Sequence, residues 1–326
     1  MIKALVVGCG KIGGTWARFD RETHASAYHC DPYTELSGCV DVDSEMSALF
    51  QTIHGGRSFE SLEEAVRLVR PGIVSVCTPD RTHYDITARL TELLHPPAVI
   101  LLEKPATRTL DEIDSLISLS RKRNIKIVVN HTRRFDPRFK GLRDEITKGT
   151  FGDLVSASVC YYSGWFHNGV HAVDTLHLLF GDVLQIMTVQ QGAKSRYPDD
   201  PSLDCTAAFE SCGAAVNFWS FDESHYQLME FDLRFTGGRL KIEDFGERVS
   251  YEQRTKNSSD ENVLVPKAKR WPSNTVNPLE EAVRLSREYL QTQNPSLLQD
   301  VEIEQTRSTM QTIIQGTEMY EDCRFA

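Results

Sequence analysis

A glycine-rich turn directly after an apolar segment is the feature that most constrains how this chain folds. Residues 2–7 have strand character, and Gly8-Cys9-Gly10-Lys11-Ile12-Gly13 follows without a gap. We expect a helix to continue after Gly13, which completes a strand-turn-helix unit. In such a unit Gly8 allows the tight turn, Gly10 lets the backbone approach a pyrophosphate, and Gly13 lets the helix pack on the strand. The pattern predicts a dinucleotide site with the pyrophosphate at the helix N-terminus, and an ordinary glycine turn is the alternative.

A second strand-like segment, residues 35–41, ends in a carboxylate at Asp41. This is where a dinucleotide-binding domain holds the ribose hydroxyls, and a solvated acid at a strand end is the alternative. A carboxylate repels the 2′-phosphate of NADP, and Val42 follows where an arginine would bind that phosphate. NAD is therefore the expected cofactor, and NADP is disfavoured. The spacing from Gly13 exceeds the usual ~20 residues, so residues 24–33 are expected to form a lengthened helix or an inserted loop.

Strands and helices alternate over the first 130 residues. Further strands are predicted at 73–77, 98–102 and 125–129, and helices near 44–54, 60–69 and 83–94 and at 110–123. Strands separated by helices indicate a doubly wound parallel sheet. The runs at 73–77 and 98–102 are apolar throughout, as in strands covered on both faces. The fold class is therefore α/β, with a Rossmann domain over residues 1–130.

The pattern changes after about residue 150. Strand-like runs follow one another near 154–162, 184–191, 204–210, 213–220, 229–235 and 239–243. Turns such as Thr236-Gly237-Gly238 favour hairpins and thus a large, mostly antiparallel open sheet. Residues 254–277 are predicted as a long polar loop, and 278–291 and 303–321 as helices. Residues 131–326 are assigned to this second, α+β domain. The last helix of this domain is free to pack back on the first domain.

Composition excludes several classes of protein. No apolar run among the 326 residues is long enough to span a bilayer. The N-terminus lacks a segment of signal type, so we expect a cytoplasmic protein. A net charge of −10 argues against a nucleic-acid partner. The eight cysteines show no CxxC pair, so free thiols are expected instead of disulfides or zinc.

Two predicted strand ends carry polar residues at the carboxyl edge of the sheet. Thr78 and Pro79 end one strand, and His83 follows on the next helix. We expect these three residues to contact the cofactor. A helix cap at Thr78 and a surface role for His83 are the alternatives.

The second of these strand ends carries Glu103-Lys104-Pro105. We expect the Lys104 ammonium to point into a cleft, with Glu103 beside the cofactor. From there a lysine can donate a hydrogen bond to a substrate hydroxyl, lower the pKa of that hydroxyl and join a proton relay. An ordinary surface lysine is the alternative.

Residues 167–177 contain three histidines and one acid. His167, His171 and Asp174 have the spacing i, i+4, i+7 of one helix face. No HExxH or other ligand pattern accompanies them, so we expect no metal. A neutral imidazole can accept a hydroxyl proton as hydride leaves the carbon. An amphipathic core helix that lines a solvent cleft is the alternative.

Six motifs in this order resemble the glucose–fructose oxidoreductase/inositol dehydrogenase (Gfo/Idh/MocA) family over residues 1–181. They are the glycine turn 8–13, Thr78-Pro79 with His83, Glu103-Lys104-Pro105, the segment 130–137 (Asn-His-Thr-Arg-Arg-Phe-Asp-Pro), Gly149-Thr150-Phe151-Gly152 and the segment 169–174 (Gly-Val-His-Ala-Val-Asp). The resemblance implies an NAD(P)-binding Rossmann domain and a second domain whose open sheet serves substrate binding and often oligomerisation. A homodimer or homotetramer is therefore expected.

The resemblance also implies residue roles. Lys104 corresponds to the family's catalytic lysine, His171 to its catalytic histidine, and Asp174 to the acid that follows on the helix. Arg133 and Arg134 are implied to lie near cofactor or substrate. The chain departs from the family at one position, because many members carry an aspartate where this chain has His167.

Aromatic residues precede this histidine segment. Trp165, with Tyr161 and Tyr162, can offer a wall to a sugar ring, and core aromatics are the alternative. The histidine at 167 resembles a branch that acts on sugars or nucleotide-linked sugars, so we count His167, Asp174, Arg134 and Trp165 as substrate-binding.

Two functions are compared. The first is an NAD-dependent oxidoreductase that interconverts a ring hydroxyl and a ketone of a sugar, nucleotide sugar or polyol. The second is a non-catalytic NAD(P)-binding sensor on the same fold. The presence of both Lys104 and His171 argues against the sensor, which needs no proton relay.

Overall fold

The computed structural model describes residues 1–20, 22–268, 271 and 277–325 and divides the chain into two units. The first unit contains Met1–Phe135 and Val276–Arg307, and the second contains Asp136–Thr275 and Ser308–Ala326. Each unit is built on a sheet of its own.

The sheet of the first unit has six strands, and every neighbouring pair is parallel. The strands are β1 Ile2–Val7, β2 Thr34–Val40, β3 Arg57–Phe59, β4 Ile73–Val76, β5 Val99–Leu102 and β6 Lys126–Val129. Their order across the sheet is β3-β2-β1-β4-β5-β6, which confirms the doubly wound Rossmann topology. The short strand β3 was not predicted, because three residues are too few to show a period of two.

The helices of the first unit are α1 His24–Cys30, α2 Ser44–His54, α3 Leu62–Val69, α4 His83–Glu92, α5 Leu110–Arg123 and, late in the chain, α8 Pro278–Thr292. Local sequence explains the ends of α5. Thr109 and Glu112 form a capping box at its start, and Asn124 adopts a left-handed conformation at its end.

The expectation of a helix directly after Gly13 is wrong. A 3₁₀ turn over Thr15–Phe19 follows, and Asp20 ends it with a left-handed φ of 53°. At the start of α1, the backbone N–H groups of His24 and Ala25 donate across the inserted segment to the carbonyl oxygens of Ile12 and Gly13, at 3.0 and 3.1 Å. The extra length between glycine turn and β2 therefore precedes α1, and residues 24–30 are an ordinary helix that starts at a Thr23 capping box.

The sheet of the second unit has eight strands in the order β14-β13-β12-β11-β7-β10-β9-β8. They are β7 Leu154–Tyr162, β8 Leu184–Gln191, β9 Leu203–Phe209, β10 Ala215–Phe221, β11 Glu230–Phe235, β12 Gly238–Glu243, β13 Arg248–Lys256 and β14 Asn262–Lys267. Strands β7 and β10 pair in parallel, and the other neighbours are antiparallel, as expected for this half.

The predicted polar loop over 254–277 is wrong for its first part, because β13 and β14 form a hairpin there. The side chains of β14 are largely exposed, so this edge hairpin has no alternation of apolar and polar residues to reveal it. Residues 269, 270 and 272–276 of the predicted loop lie outside the described residues.

The second unit also contains α6 Pro137–Thr147, α7 Val170–Phe180 and the end of α9, which spans Ile303–Phe325. A single π turn over Trp165–Gly169 leads into α7. Within the part of the chain that the structure describes, no helix combines the length and apolar character needed to cross a lipid bilayer.

Candidate functional site

The three glycines of the first turn meet different surroundings. Gly8 has a φ of +91°, and a Cβ there would lie 2.7 Å from the backbone of Cys77 and Thr78. A Cβ on Gly13 would lie 2.0 Å from the carbonyl oxygen of Gly8. A Cβ on Gly10 would have no heavy atom within 4 Å. The fold itself thus requires glycine at 8 and 13, whereas Gly10 leaves space that a pyrophosphate can use.

Two backbone N–H groups hold the Asp41 carboxylate, and one of them belongs to the glycine turn. Its Oδ2 accepts the N–H of Cys9 at 2.6 Å, and its Oδ1 accepts the N–H of Asp43 at 2.9 Å. Each carboxylate oxygen has a second lone pair, so both remain able to accept from ribose hydroxyls. Val42 beside it is fully exposed. Asp41 therefore lies against the glycine turn, with Val42 exposed beside it.

His83 links the ends of β4 and β5. Its Nδ1 lies 2.7 Å from the carbonyl oxygen of Pro105, and its Nε2 lies 2.8 Å from that of Thr78. Carbonyl oxygens only accept, so each contact is one to which a ring N–H can donate. The side chain is buried, which rules out the surface role, and its nitrogens are engaged by the two loops. Thr78 is half-buried and Pro79 is exposed beside it.

A buried polar network lies next to Lys104. Glu103 Oε1 is 2.9 Å from His24 Nε2 and accepts from Asn130 Nδ2 at 2.5 Å. The other nitrogen of His24 is 2.9 Å from Ser75 Oγ, which contacts the Tyr28 hydroxyl at 2.8 Å. Each of these five side chains is buried.

The network keeps Glu103 ionised. Burial alone raises the pKa of the Glu103 carboxyl, but the hydrogen bonds from His24 and Asn130 and the charges of His24 and Lys104 lower that pKa to about 2. Glu103 Oε2 also accepts the backbone N–H of Lys104 at 3.3 Å. The half-buried Lys104 thus follows a fixed anion. Sequence reasoning missed His24, Ser75 and Tyr28, because contacts across 79 and 51 residues leave no local pattern.

In the second unit the three predicted residues do not all lie on one α-helix. His167 lies on the π turn and is half-buried, and His171 lies half-buried in the first turn of α7. Asp174 is 1% exposed, and its Oδ1 accepts from Thr309 Oγ1 at 3.1 Å. The carboxylate therefore faces α9 inside this unit. Within the described residues, no group of three or more His, Cys, Asp or Glu side chains could hold a metal ion.

Arg134 and Trp165 are buried as well. Arg134 donates to the carbonyl oxygens of Asp300 and Gln305 at 3.0 and 3.2 Å. Trp165 is 1% exposed and donates from Nε1 to the carbonyl oxygen of Ile313 at 2.8 Å. Trp165 thus adopts the core arrangement that was the alternative to a sugar-binding wall, and Arg134 holds the backbone around the start of α9.

Comparison with known proteins agrees with this geometry. Residues 2–131 match a family model described as an oxidoreductase family with an NAD-binding Rossmann fold. The D-glucoside 3-dehydrogenase of Escherichia coli is 24% identical over 200 residues, which cover 55% of this chain and 54% of that protein. The rhizopine catabolism protein MocA of Rhizobium meliloti is 25% identical over 228 residues, which cover 64% and 68%.

A solved structure shows the same fold over nearly the whole chain. KijD10, a 3-ketoreductase from Actinomadura kijaniata in complex with NADP and TDP-benzene, superposes with a TM-score of 0.76, at 15% identity and with 98% of each chain covered. The sequence match to the D-glucoside 3-dehydrogenase spans 54% of that protein, which is about half of its length. Residues 2–131, which contain the six-stranded Rossmann sheet, thus match the model of the Gfo/Idh/MocA oxidoreductase family, and the chain is similar to members of that family.

Proposed function

We propose that this protein is an NAD(P)-dependent oxidoreductase that transfers hydride between a nicotinamide and a ring hydroxyl or ketone of a sugar, nucleotide sugar or polyol. One observation carries the proposal. The glycine turn, Thr78 and Lys104 follow β1, β4 and β5, which are consecutive parallel strands of one sheet. Their carboxyl ends are therefore neighbours, at the edge where open parallel sheets bind ligands.

The first unit fits a dinucleotide on its own geometry. The open side of Gly10 accommodates a pyrophosphate, and Asp41 offers oxygens to ribose hydroxyls. A bound nicotinamide supplies the hydride acceptor for oxidation and the donor for reduction. Asp41 and Val42 favour NAD over NADP, because neither residue neutralises a 2′-phosphate.

The two remaining residues handle the substrate oxygen. Oxidation of a secondary alcohol breaks one C–H bond, whose hydride leaves with both electrons, and one O–H bond, whose proton needs an acceptor. The Lys104 ammonium donates a hydrogen bond to that oxygen and stabilises the negative charge that develops on it. His171 accepts the proton, and the ketone is released.

The proposed substrate class is supported by the relatives. A D-glucoside 3-dehydrogenase and a 3-ketoreductase act, by their names, on a hydroxyl or ketone at a numbered carbon. A hydroxyl-rich ring is therefore the first class to test.

The test is the absorbance of reduced nicotinamide while purified protein receives NAD or NADP and a panel of sugars, inositols, sugar phosphates and nucleotide sugars. Turnover with one class supports the proposal and names the substrate. Tight cofactor binding without turnover across the whole panel contradicts an oxidoreductase of this class and favours the sensor.

We further propose that the chain forms a homodimer or homotetramer through the open sheet of the second unit. Trp219 is exposed on β10, where it lies beside Cys160 of β7. A large aromatic side chain on an open sheet favours burial against a second copy. Light scattering should show an oligomer for the native protein and a shift towards monomer for Trp219→Glu, and a native monomer contradicts the proposal.

A further inference from the structure

The outermost strand of the second sheet, β14, presents apolar side chains at an open edge. One edge of β14 pairs with β13, and no other strand of the described residues pairs with it. On this strand Leu264 is 46% exposed and Val265 is 42% exposed. Successive side chains of a strand point to opposite faces of the sheet. Apolar side chains are therefore exposed on both faces of β14, next to an edge that can serve as a template for another strand.

The hydrogen bonds of β13 show which backbone groups of β14 face outwards. The N–H of Arg254 donates to the carbonyl oxygen of Gly237, directly before β12, at 2.9 Å. Arg254 is the register partner of Leu264. In an antiparallel pair, opposite residues either exchange both hydrogen bonds or direct these groups away from each other. The N–H and C=O of Leu264 therefore point to the open edge.

The same alternation applies two residues away on either side, at Asn262 and Pro266. Asn262 offers an outward N–H and an outward C=O, whereas Pro266 offers only its C=O because proline has no N–H. Proline in an edge strand limits pairing with other chains. Here it removes one donor near the end of the strand, and Leu264 at the centre keeps both groups.

We propose that this open edge pairs with the same edge of a second copy of the chain, antiparallel and with Leu264 opposite its own equivalent. A two-fold axis between the copies makes such an interface self-complementary. The two Leu264 residues then exchange both of their hydrogen bonds. The Asn262 N–H of each copy donates to the Pro266 C=O of the other.

The side chains on both faces of the strand fit this register. On one face Glu261 lies opposite Lys267 of the other copy, and Val263 lies opposite Val265. On the other face Leu264 lies opposite its equivalent. Opposite charges and apolar pairs directly across neighbouring strands stabilise a sheet. A shift by two residues in either direction places Glu261 or Lys267 opposite a valine, so charge complementarity selects the proposed register.

This edge is separate from the open-face contact proposed at Trp219. Trp219 lies on β10, and four strands lie between β10 and β14 in the sheet. Two different two-fold interfaces on one chain generate a tetramer. The edge pairing thus selects the homotetramer from the two oligomers expected for this chain. The tetramer rests on the proposed open-face contact, whereas the edge pairing does not.

A charge exchange tests the pairing in solution, with the mass of the assembly measured by light scattering during dilution. Lys267→Glu places carboxylates opposite each other and should raise the dissociation constant of this contact by roughly tenfold or more at low ionic strength. Lys267→Glu combined with Glu261→Lys restores the opposite charges and should restore the native mass. Lys122→Glu, at an exposed lysine of α5, is the matched control and should leave the mass unchanged.

Trp219→Glu distinguishes the two interfaces. A native tetramer should become a dimer in this variant and a monomer when Lys267→Glu is added. If the open-face contact does not exist, the native protein is a dimer, and Lys267→Glu alone gives the monomer. Unchanged association of Lys267→Glu overturns the edge pairing, and so does a charge-exchanged double variant that stays dissociated. A monomeric native protein contradicts both interfaces.

Disulfide trapping tests the register itself. Opposite residues of a hydrogen-bonded pair have Cα atoms about 5.5 Å apart, which is a distance that a disulfide spans. Leu264→Cys should therefore give a covalent dimer when diamide oxidises the two thiols and is itself reduced. Asn262→Cys should not, because its equivalent lies four residues along the opposite strand, on the order of 13 Å away.

The native protein under the same oxidation is the control for its own exposed cysteines, Cys30, Cys212 and Cys323. Non-reducing electrophoresis measures the covalent dimer. Leu264→Cys without a covalent dimer, or equal cross-linking of Leu264→Cys and Asn262→Cys, overturns the proposed register. This test needs neither a substrate nor the open-face contact.

Discussion

His24 Nε2 lies 2.9 Å from Glu103 Oε1, and both side chains are buried. Removal of the imidazole leaves the buried Glu103 carboxylate without one of its hydrogen-bond partners. His24→Ala should therefore lower the free energy of unfolding by about 3 kcal/mol. Urea denaturation measures the loss, with His29→Ala on the exposed side of the same helix as the control. Equal stability of the two variants contradicts the role given to this pair.

The Glu103 carboxylate predicts that the free energy of unfolding depends on pH. The folded-state pKa of Glu103 is about 2, below its ordinary value of 4.5. A depressed pKa stabilises the fold above the unfolded-state value, and that stability is lost as the pH falls through the window from 4.5 towards 2. Denaturation across this window should show a shallower decline for Glu103→Gln than for the native protein. A decline of the same slope in both shows that other carboxylates cause it.

Lys104→Ala and His171→Ala should retain the fold and the cofactor and lose most turnover. Positioned acid–base and electrostatic groups typically contribute on the order of 10² to 10⁴-fold in rate. Steady-state rates on the identified substrate measure the loss, and cofactor fluorescence confirms binding. The exposed residues Lys122 and His225 provide Ala variants as matched controls. Native turnover in either catalytic variant removes that residue from the proposed mechanism.

Asp41 should set the choice between NAD and NADP. Asp41→Ala with Val42→Arg removes an anion and adds a cation, so the NADP-to-NAD affinity ratio should rise by about tenfold or more. Fluorescence titration with both cofactors gives the ratio. As a control, Asp43→Ala removes the N-cap of α2 and leaves Asp41 and Val42 in place. This variant should lose about 1 kcal/mol of stability, and its NADP-to-NAD affinity ratio should be unchanged. A native protein that already prefers NADP contradicts the role of Asp41.

Substitution of Gly13 should affect the stability of the fold, whereas substitution of Gly10 should affect cofactor binding. Gly13→Ala forces a Cβ to within 2.0 Å of a carbonyl oxygen and should destabilise the fold. Gly10→Ala meets no protein atom within 4 Å, so it should keep the native unfolding temperature while it weakens cofactor binding. Thermal unfolding and cofactor titration of both variants test this contrast. Native cofactor affinity in Gly10→Ala argues that the pyrophosphate does not approach this residue.

Local patterns accounted for most secondary structure. The strand at 2–7 and the helix at 110–123 have the bounds predicted for them, because an apolar run and a capping box are local signals. The failures lie where local signals are weak. The hairpin at 248–267 has exposed side chains on its outer strand, and helix α1 is separated from its glycine turn by an inserted segment.

The sequence by itself determined the order of motifs, the Rossmann topology and the resemblance to a family, because strand ends and glycine spacing are read along the chain. Only the tertiary structure decided that His24 holds Glu103, that Asp200 holds the turn of His167, and that Trp165 is buried. These contacts join residues dozens of positions apart. Hydrogen bonds and burial depend on which surfaces meet after folding, so no periodicity or spacing predicts them.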